Sequence, residues 1–227
     1  MREILTEKTL LKILVIDDHE SVLSGTLNVL RKHFAEAELI TATTARNALE
    51  QLTLLDPKPD LVVMDLSIPE HPDTTAKPET GVQLLRTLMK GYPHLNIVVQ
   101  SANVRTLVRI RPDIDSHKGG FTVADKSLST QEMLTRVDWA LQGLTHTKDI
   151  KGIHSGLEVK PEWLRMLTLA FGEGLQDRTI AERMCISERM VRHYWSKLQD
   201  ALDVYPEEGR NIRIQTEMRA REEGLID

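Results

Sequence analysis

The stretch LVVMDLSIPEHPDTTAKPETG, residues 61–81, decides how the chain is read. Four apolar residues, Leu61 to Met64, stop abruptly at Asp65. A short apolar run bounded by polar residues has the length of a buried strand. The polar stretch after it carries Pro69, Pro72 and Pro78 before Gly81, and prolines at that density break regular structure. The reading predicts a helix opening at Gly81 over VQLLRTLMK and closing at Gly91-Tyr92-Pro93.

The same alternation runs outward on both sides. KILVI (12–16), ELITA (38–42), DLVVM (60–64), NIVVQ (96–100) and GFTVA (120–124) read as strands. Between them lie helix-period segments. Val22, Leu23, Leu27, Leu30 and Phe34 share one face of the first, and Ala45 to Leu55 is the second, closed by Asp56-Pro57. A helix-like VRTLVRI follows strand four and stops at Pro112. Ser129 caps a last helix reaching Leu144. Strands separated by helices imply a doubly wound parallel sheet covered on both faces. The polar segment THTKDIKGIHSGLEVK (145–160) reads as a linker. Beyond it only short helices are expected. The predicted organisation is an α/β domain over 1–145, a linker over 146–160 and a small all-α domain over 161–227.

Composition excludes several classes. The chain has 227 residues, a 41% hydrophobic fraction and a formal net charge of −5, so as a whole it is no basic nucleic-acid binder. Its apolar runs fall far short of the ~20 residues that span a bilayer, so no membrane role is expected. The N-terminus MREILTEKTLLK has no apolar core of a secretory signal. Cys185 is the one cysteine, which rules out an internal disulfide and fits a reducing cytoplasm.

In a doubly wound sheet the functional crevice lies at the carboxyl ends of the strands. Strand one ends in Asp17-Asp18, strand three in Asp65, strand four near Ser101 and strand five in Asp125-Lys126. Polar residues end strands routinely, but here all four ends carry groups that belong to one chemistry. Three close carboxylates repel one another, and a divalent cation removes that cost. Hard oxygen donors in an open site suit Mg²⁺. Asp65 is then placed to attack a phosphoryl group, with Lys126 neutralising charge and Ser101 binding an oxygen.

LVIDDHE (14–20), VVMDLSIP (62–69), VVQSA (98–102) and VADKS (123–127) together resemble the receiver domain of two-component response regulators. The resemblance implies a flavodoxin-like (βα)5 fold with strand order 2-1-3-4-5. It implies Asp65 as phosphoacceptor, Mg²⁺ held by Asp18 and Asp65 and less directly by Asp17, with the backbone carbonyl of Ser67, and Ser101 and Lys126 as readers of the phosphorylated state. A sensor histidine kinase is the implied partner. The sequence departs from the pattern in the long loop after Asp65. It departs again at Val123, where the family usually has Tyr or Phe, and at Ser127, where proline is commoner.

The segment LQDRTIAERMCISERMVRHYWSKLQDALDV (175–204) carries a second signal. Asp177 is a candidate N-cap. Ile180, Ala181 and Met184 form a short stripe, and Cys185-Ile186 a turn, with Cys185 expected as a small buried side chain. Ser187 caps the next helix. There Val191, Tyr194, Trp195, Leu198 and Leu202 share one side, and Arg189, Arg192, His193, Ser196 and Lys197 the other. From Arg178 to Lys197 there are five Lys or Arg and two acids, a local basic face suited to phosphates. IAERMCISERMVRHY resembles the helix-turn-helix of NarL/LuxR-type regulators, which implies promoter DNA as a partner and a homodimer on two half-sites. Met190 stands for the usual Thr and Tyr194 for the usual His. The upstream signature is replaced by EVKPEWLRMLTLAF, in which Trp163 reads as core.

Two other function classes share part of this pattern. A Mg²⁺-dependent phosphohydrolase of the haloacid-dehalogenase type needs Asp-x-Asp after strand one, and Asp17-Asp18-His19 lacks that spacing. A receiver that signals by protein contacts without phosphorylation is the other, favoured by Val123 and the long loop.

Overall fold

The computed structural model describes residues 10–102, 104–148, 150 and 159–226. The chain divides into two compact units. The first holds β1 (Lys12–Ile16), β2 (Glu38–Ala42), β3 (Leu61–Met64), β4 (Asn96–Ser101), β5 (Phe121–Asp125) and β6 (Thr145–His146). They form one sheet in the order β2-β1-β3-β4-β5-β6, with every pair parallel. Helices α1 (Glu20–His33), α2 (Ala45–Leu54), α3 (Pro78–Gly91), α4 (Arg111–Ser116) and α5 (Thr130–Leu141) connect them. The expected order 2-1-3-4-5 is therefore present, extended by a sixth strand.

The middles of the central strands β1, β3 and β4 are apolar and buried because helices cover both faces. Ile13, Val15, Leu61, Val63, Val98 and Ala124 share one core cluster with Leu30 of α1 and with Met133, Leu134, Val137 and Ala140 of α5. Leu14, Ile16, Val62 and Met64 alternate onto the opposite face and are equally buried.

Three local readings change. Helix α3 begins at Pro78, not at Gly81. Proline fits the first helical turn, where its missing N–H has no partner to lose. Gly81 has a different task. A Cβ there would lie 2.0 Å from the Leu66 carbonyl oxygen and 2.4 Å from its Cα, so glycine lets α3 pack on the backbone directly after Asp65. Between Leu66 and Pro78 the chain doubles back, with an antiparallel bridge from Ile68 to Lys77. Ile68 and Pro69 are buried, and only residues 72–75 form a continuously exposed tip. The loop's carbonyls at Pro69 and Glu70 accept from the N–H groups of Ala45 and Arg46 at 3.0 and 3.3 Å, satisfying first-turn donors of α2.

Pro112 does not stop a helix. Val104–Ile110 is a 3-10 helix, and Arg111–Ser116 follows as α4 with Pro112 in its first turn. The last helix of this unit ends at Leu141 rather than Leu144, because Gly143 adopts φ +75° and turns the chain into β6. Its start is as expected: Ser129 and Glu132 form a reciprocal capping box.

The second unit gathers the C-terminal helices and also draws in Arg105–Arg111. Helix α6 (Pro161–Leu167) runs into a π turn over Thr168–Gly172. Then come α7 (Asp177–Met184), α8 (Glu188–Ala201) and α9 (Ile212–Glu222). Trp163, Met166, Leu167, Ile180, Val191, Trp195 and Leu198 are its core. Gln176, not Asp177, is the N-cap of α7. The Asp177 carboxylate is taken by stronger partners: it accepts from Trp195 Nε1 at 3.0 Å and from Arg213 Nη2 at 2.7 Å. The Arg213 guanidinium also lies 3.6 Å over the Trp195 ring. Cys185 is exposed, contrary to expectation, because it is the left-handed residue closing α7 at φ 55°. Most of the segment read as a linker, 151–158, lies outside the described residues.

Candidate functional site

The strand ends converge as the topology requires. Asp17 follows β1 and Asp65 follows β3, in neighbouring registers, and both are almost fully buried at 5% and 4% exposure. Lys126 follows β5 and reaches across. Its Nζ donates to Asp65 Oδ2 at 2.7 Å and to Asp17 Oδ2 at 2.8 Å. Burial alone pulls the Lys126 ammonium's pKa down, but hydrogen bonds and charge from Asp17 and Asp65 outweigh it and hold it above the usual lysine range. The lysine therefore stays charged between two carboxylates.

Asp65 Oδ1 accepts from the backbone N–H of Leu66 at 2.6 Å and of Ser67 at 3.2 Å. These bonds fix the carboxylate on the turn that Gly81 holds from behind. Ser101 ends β4 fully buried, in register with Asp125, and its carbonyl accepts from Lys126 N–H at 3.4 Å. Val123 lies inward on β5 with no exposure.

Asp17, Asp18, His19 and Asp65 each offer a ligand atom, and these atoms lie within 4.8 Å of one another. Asp18 Oδ1 is buried, and it accepts no hydrogen bond among the described residues. A desolvated carboxylate oxygen without a donor is costly unless a cation completes it. The donor set of carboxylates with a nearby backbone carbonyl at Ser67 fits a hard divalent ion. His19 escaped the sequence reading as part of this group, although its place directly after Asp17-Asp18 was the available signal.

In the second unit, α7 and α8 are joined by a tight turn in which Ile186 N–H donates to Ala181 carbonyl at 3.0 Å. Ser187 caps α8 by accepting from Met190 N–H at 3.2 Å. Val191, Trp195, Leu198 and Leu202 are buried, and Arg189, Arg192, His193, Ser196 and Lys197 are all exposed. Among the described residues Arg192 and Lys197 meet loose acidic neighbours, Glu188 at 3.8 Å and Asp200 at 4.0 Å. Exposed pairs of that kind hold a side chain weakly, so both cations remain available to an anionic partner. Among the described residues no helix is long and apolar enough to cross a membrane.

Residues 13–138 match the response regulator receiver domain. The chain belongs to the response regulator receiver family. As a receiver, it carries the expected acidic edge, lysine and buried serine in one place. It is 24% identical to the DNA-binding transcriptional activator DevR/DosR of Mycobacterium tuberculosis, over 83% of this chain and 87% of that protein. It is 26% identical to the DNA-binding transcriptional activator EvgA of Escherichia coli, over 84% of this chain and 90% of that one. Among solved structures, RcsB from Salmonella enterica serovar Typhimurium bound to a promoter has a TM-score of 0.54 and 17% identity, covering 92% of this receiver protein and 98% of RcsB. That likeness extends the shared fold beyond the receiver into the C-terminal helices.

Proposed function

We propose that this protein is a NarL/LuxR-type transcription factor switched by phosphorylation of Asp65, acting in the cytoplasm as a regulator rather than as an enzyme with turnover. One observation carries the reading: Lys126 bridges the buried carboxylates of Asp65 and Asp17 at the carboxyl edge of the sheet. An ammonium held there meets a phosphoryl group that arrives at Asp65 and neutralises its charge.

Asp65 attacks the phosphorus of a phosphohistidine on a sensor kinase. An oxygen–phosphorus bond forms, the nitrogen–phosphorus bond breaks, and the electron pair leaves with the imidazole. Asp18, Asp17 and the Ser67 carbonyl would hold Mg²⁺, which supplies positive charge to the phosphoryl oxygens. Ser101 and Lys126 bind the new oxygens, and that contact biases a two-state receiver.

Output passes to the helix-turn-helix of α7 and α8. Arg189, Arg192, His193, Ser196 and Lys197 form its outward face toward double-stranded DNA, with two copies of the chain on two half-sites. The functions named for DevR/DosR and EvgA support this assignment. A mobility-shift titration with selected promoter DNA tests it. Arg192→Ala and Lys197→Ala weaken binding and each lower the salt dependence by about one phosphate contact. Unchanged binding refutes the assignment of that face.

Val123 favours one second reading. A fully buried valine cannot swing as an aromatic ring does, so the receiver signals through protein contacts instead. Equal promoter binding by wild type and Asp65→Ala after phosphodonor treatment would select it.

A further inference from the structure

We propose that His19 is an additional protein ligand at the Asp17–Asp18–Asp65 cluster, and that its imidazole gives the cluster a selectivity for first-row transition-metal dications over Mg²⁺. The inference rests on the reading of the cluster as a cation site.

The placement of His19 is unusual for its position. It is the N-cap of α1, where Ser, Thr, Asp or Asn normally caps through its side chain. His19 makes no side-chain cap. Its backbone N–H is tied instead to Asp17 Oδ1 at 2.8 Å, which fixes the turn and folds the residue over the pocket. The ring then turns back toward the acids. Nδ1 lies 2.9 Å from Asp18 Oδ1 and 3.5 Å from Asp17 Oδ1.

A hydrogen bond would explain a 2.9 Å contact, but the alignment for one is missing, and Asp18 Oδ1 stays buried without a donor. Two ligand atoms that aim at a common ion have this relation: they are close without pointing at each other. Adjacent ligands of an octahedral ion with bonds of about 2.1 Å are about 3.0 Å apart, which is the separation seen. The side chain is 61% exposed, so the ring adjusts without repacking a core.

The nitrogen decides which ions benefit. Mg²⁺ prefers oxygen and gains little from imidazole. Cobalt, nickel, zinc and iron dications bind imidazole well. An all-oxygen receiver pocket lacks this term.

The test uses the full-length protein, isothermal titration with Co²⁺ and with Mg²⁺, and the variant His19→Ala. Only the Co²⁺ that Mg²⁺ displaces competitively is counted, which removes the other histidines of the chain. The expected result is a fall in Co²⁺ affinity of about tenfold or more in His19→Ala, with Mg²⁺ affinity within about twofold of wild type. The cobalt absorption bands of the wild type also change on losing a nitrogen ligand. Equal losses for both ions, or no loss for either, overturn the proposal and leave His19 as a surface histidine beside Asp18. Failure of the phosphoacceptor reading shows separately, as Mg²⁺-dependent labelling by acetyl phosphate that survives Asp65→Ala.

Discussion

Gly81→Ala joins the fold to the site. A Cβ at residue 81 would lie 2.0 Å from the Leu66 carbonyl oxygen, about 1.4 Å short of ordinary contact at 3.4 Å. All three nearest atoms belong to the Leu66 backbone, so no side chain can rotate away. Either α3 lifts from the sheet or the turn after Asp65 moves. Overpacking of this kind costs about 1–3 kcal/mol, and the fixed backbone puts this case at the upper end. Alanine recovers about 1 kcal/mol of helix propensity over glycine. A net loss of about 2 kcal/mol remains, roughly a 30-fold fall in the folded-to-unfolded ratio. In a chain of this size that lowers Tm by about 4–8 °C. Scanning calorimetry of wild type and variant measures it. The Leu66 and Ser67 N–H groups also orient Asp65 Oδ1, so acetyl phosphate labelling of Asp65 slows in the same variant. A variant more stable than wild type would show helix propensity winning over the clash and would refute the packing argument.

Asp177→Ala strips Trp195 Nε1 and the Arg213 guanidinium of their shared acceptor; because both charged side chains are about a third exposed, the expected loss is about 1–2 kcal/mol, read by urea unfolding with tryptophan fluorescence. For Lys126, the folded pKa stands above that of the unfolded chain, so its contribution is complete below about pH 10 and is lost as pH rises through the folded value. Urea unfolding across alkaline pH should therefore show a fall in wild type that is smaller in Lys126→Met, while at neutral pH that variant is the less stable of the two because Asp17 and Asp65 lose their shared cation.

The sheet was legible because a parallel sheet demands near-continuous apolar strands, and Ile13–Ile16, Leu61–Met64 and Ile97–Val99 supply them. The acidic edge followed from topology, since strands that run one way bring Asp17, Asp65, Ser101 and Lys126 to one side. What stayed hidden depends on contacts between distant residues. The role of Gly81 required knowing that α3 meets Leu66. Asp177 looked like a cap because caps are local, whereas Trp195 and Arg213 lie 18 and 36 residues away. Cys185 looked apolar by type, but a left-handed backbone at the turn sets its exposure. The strand Thr145–His146 is too short for any periodicity to announce it.

The central claim is that Asp65, held between Lys126 and the Leu66–Ser67 turn, accepts a phosphoryl group. Intact-mass measurement after incubation with acetyl phosphate and Mg²⁺ tests it most directly. One added phosphoryl group is expected on the wild type, lost on omitting Mg²⁺ and absent from Asp65→Ala. No gain on the wild type, or the same gain on Asp65→Ala, would contradict it.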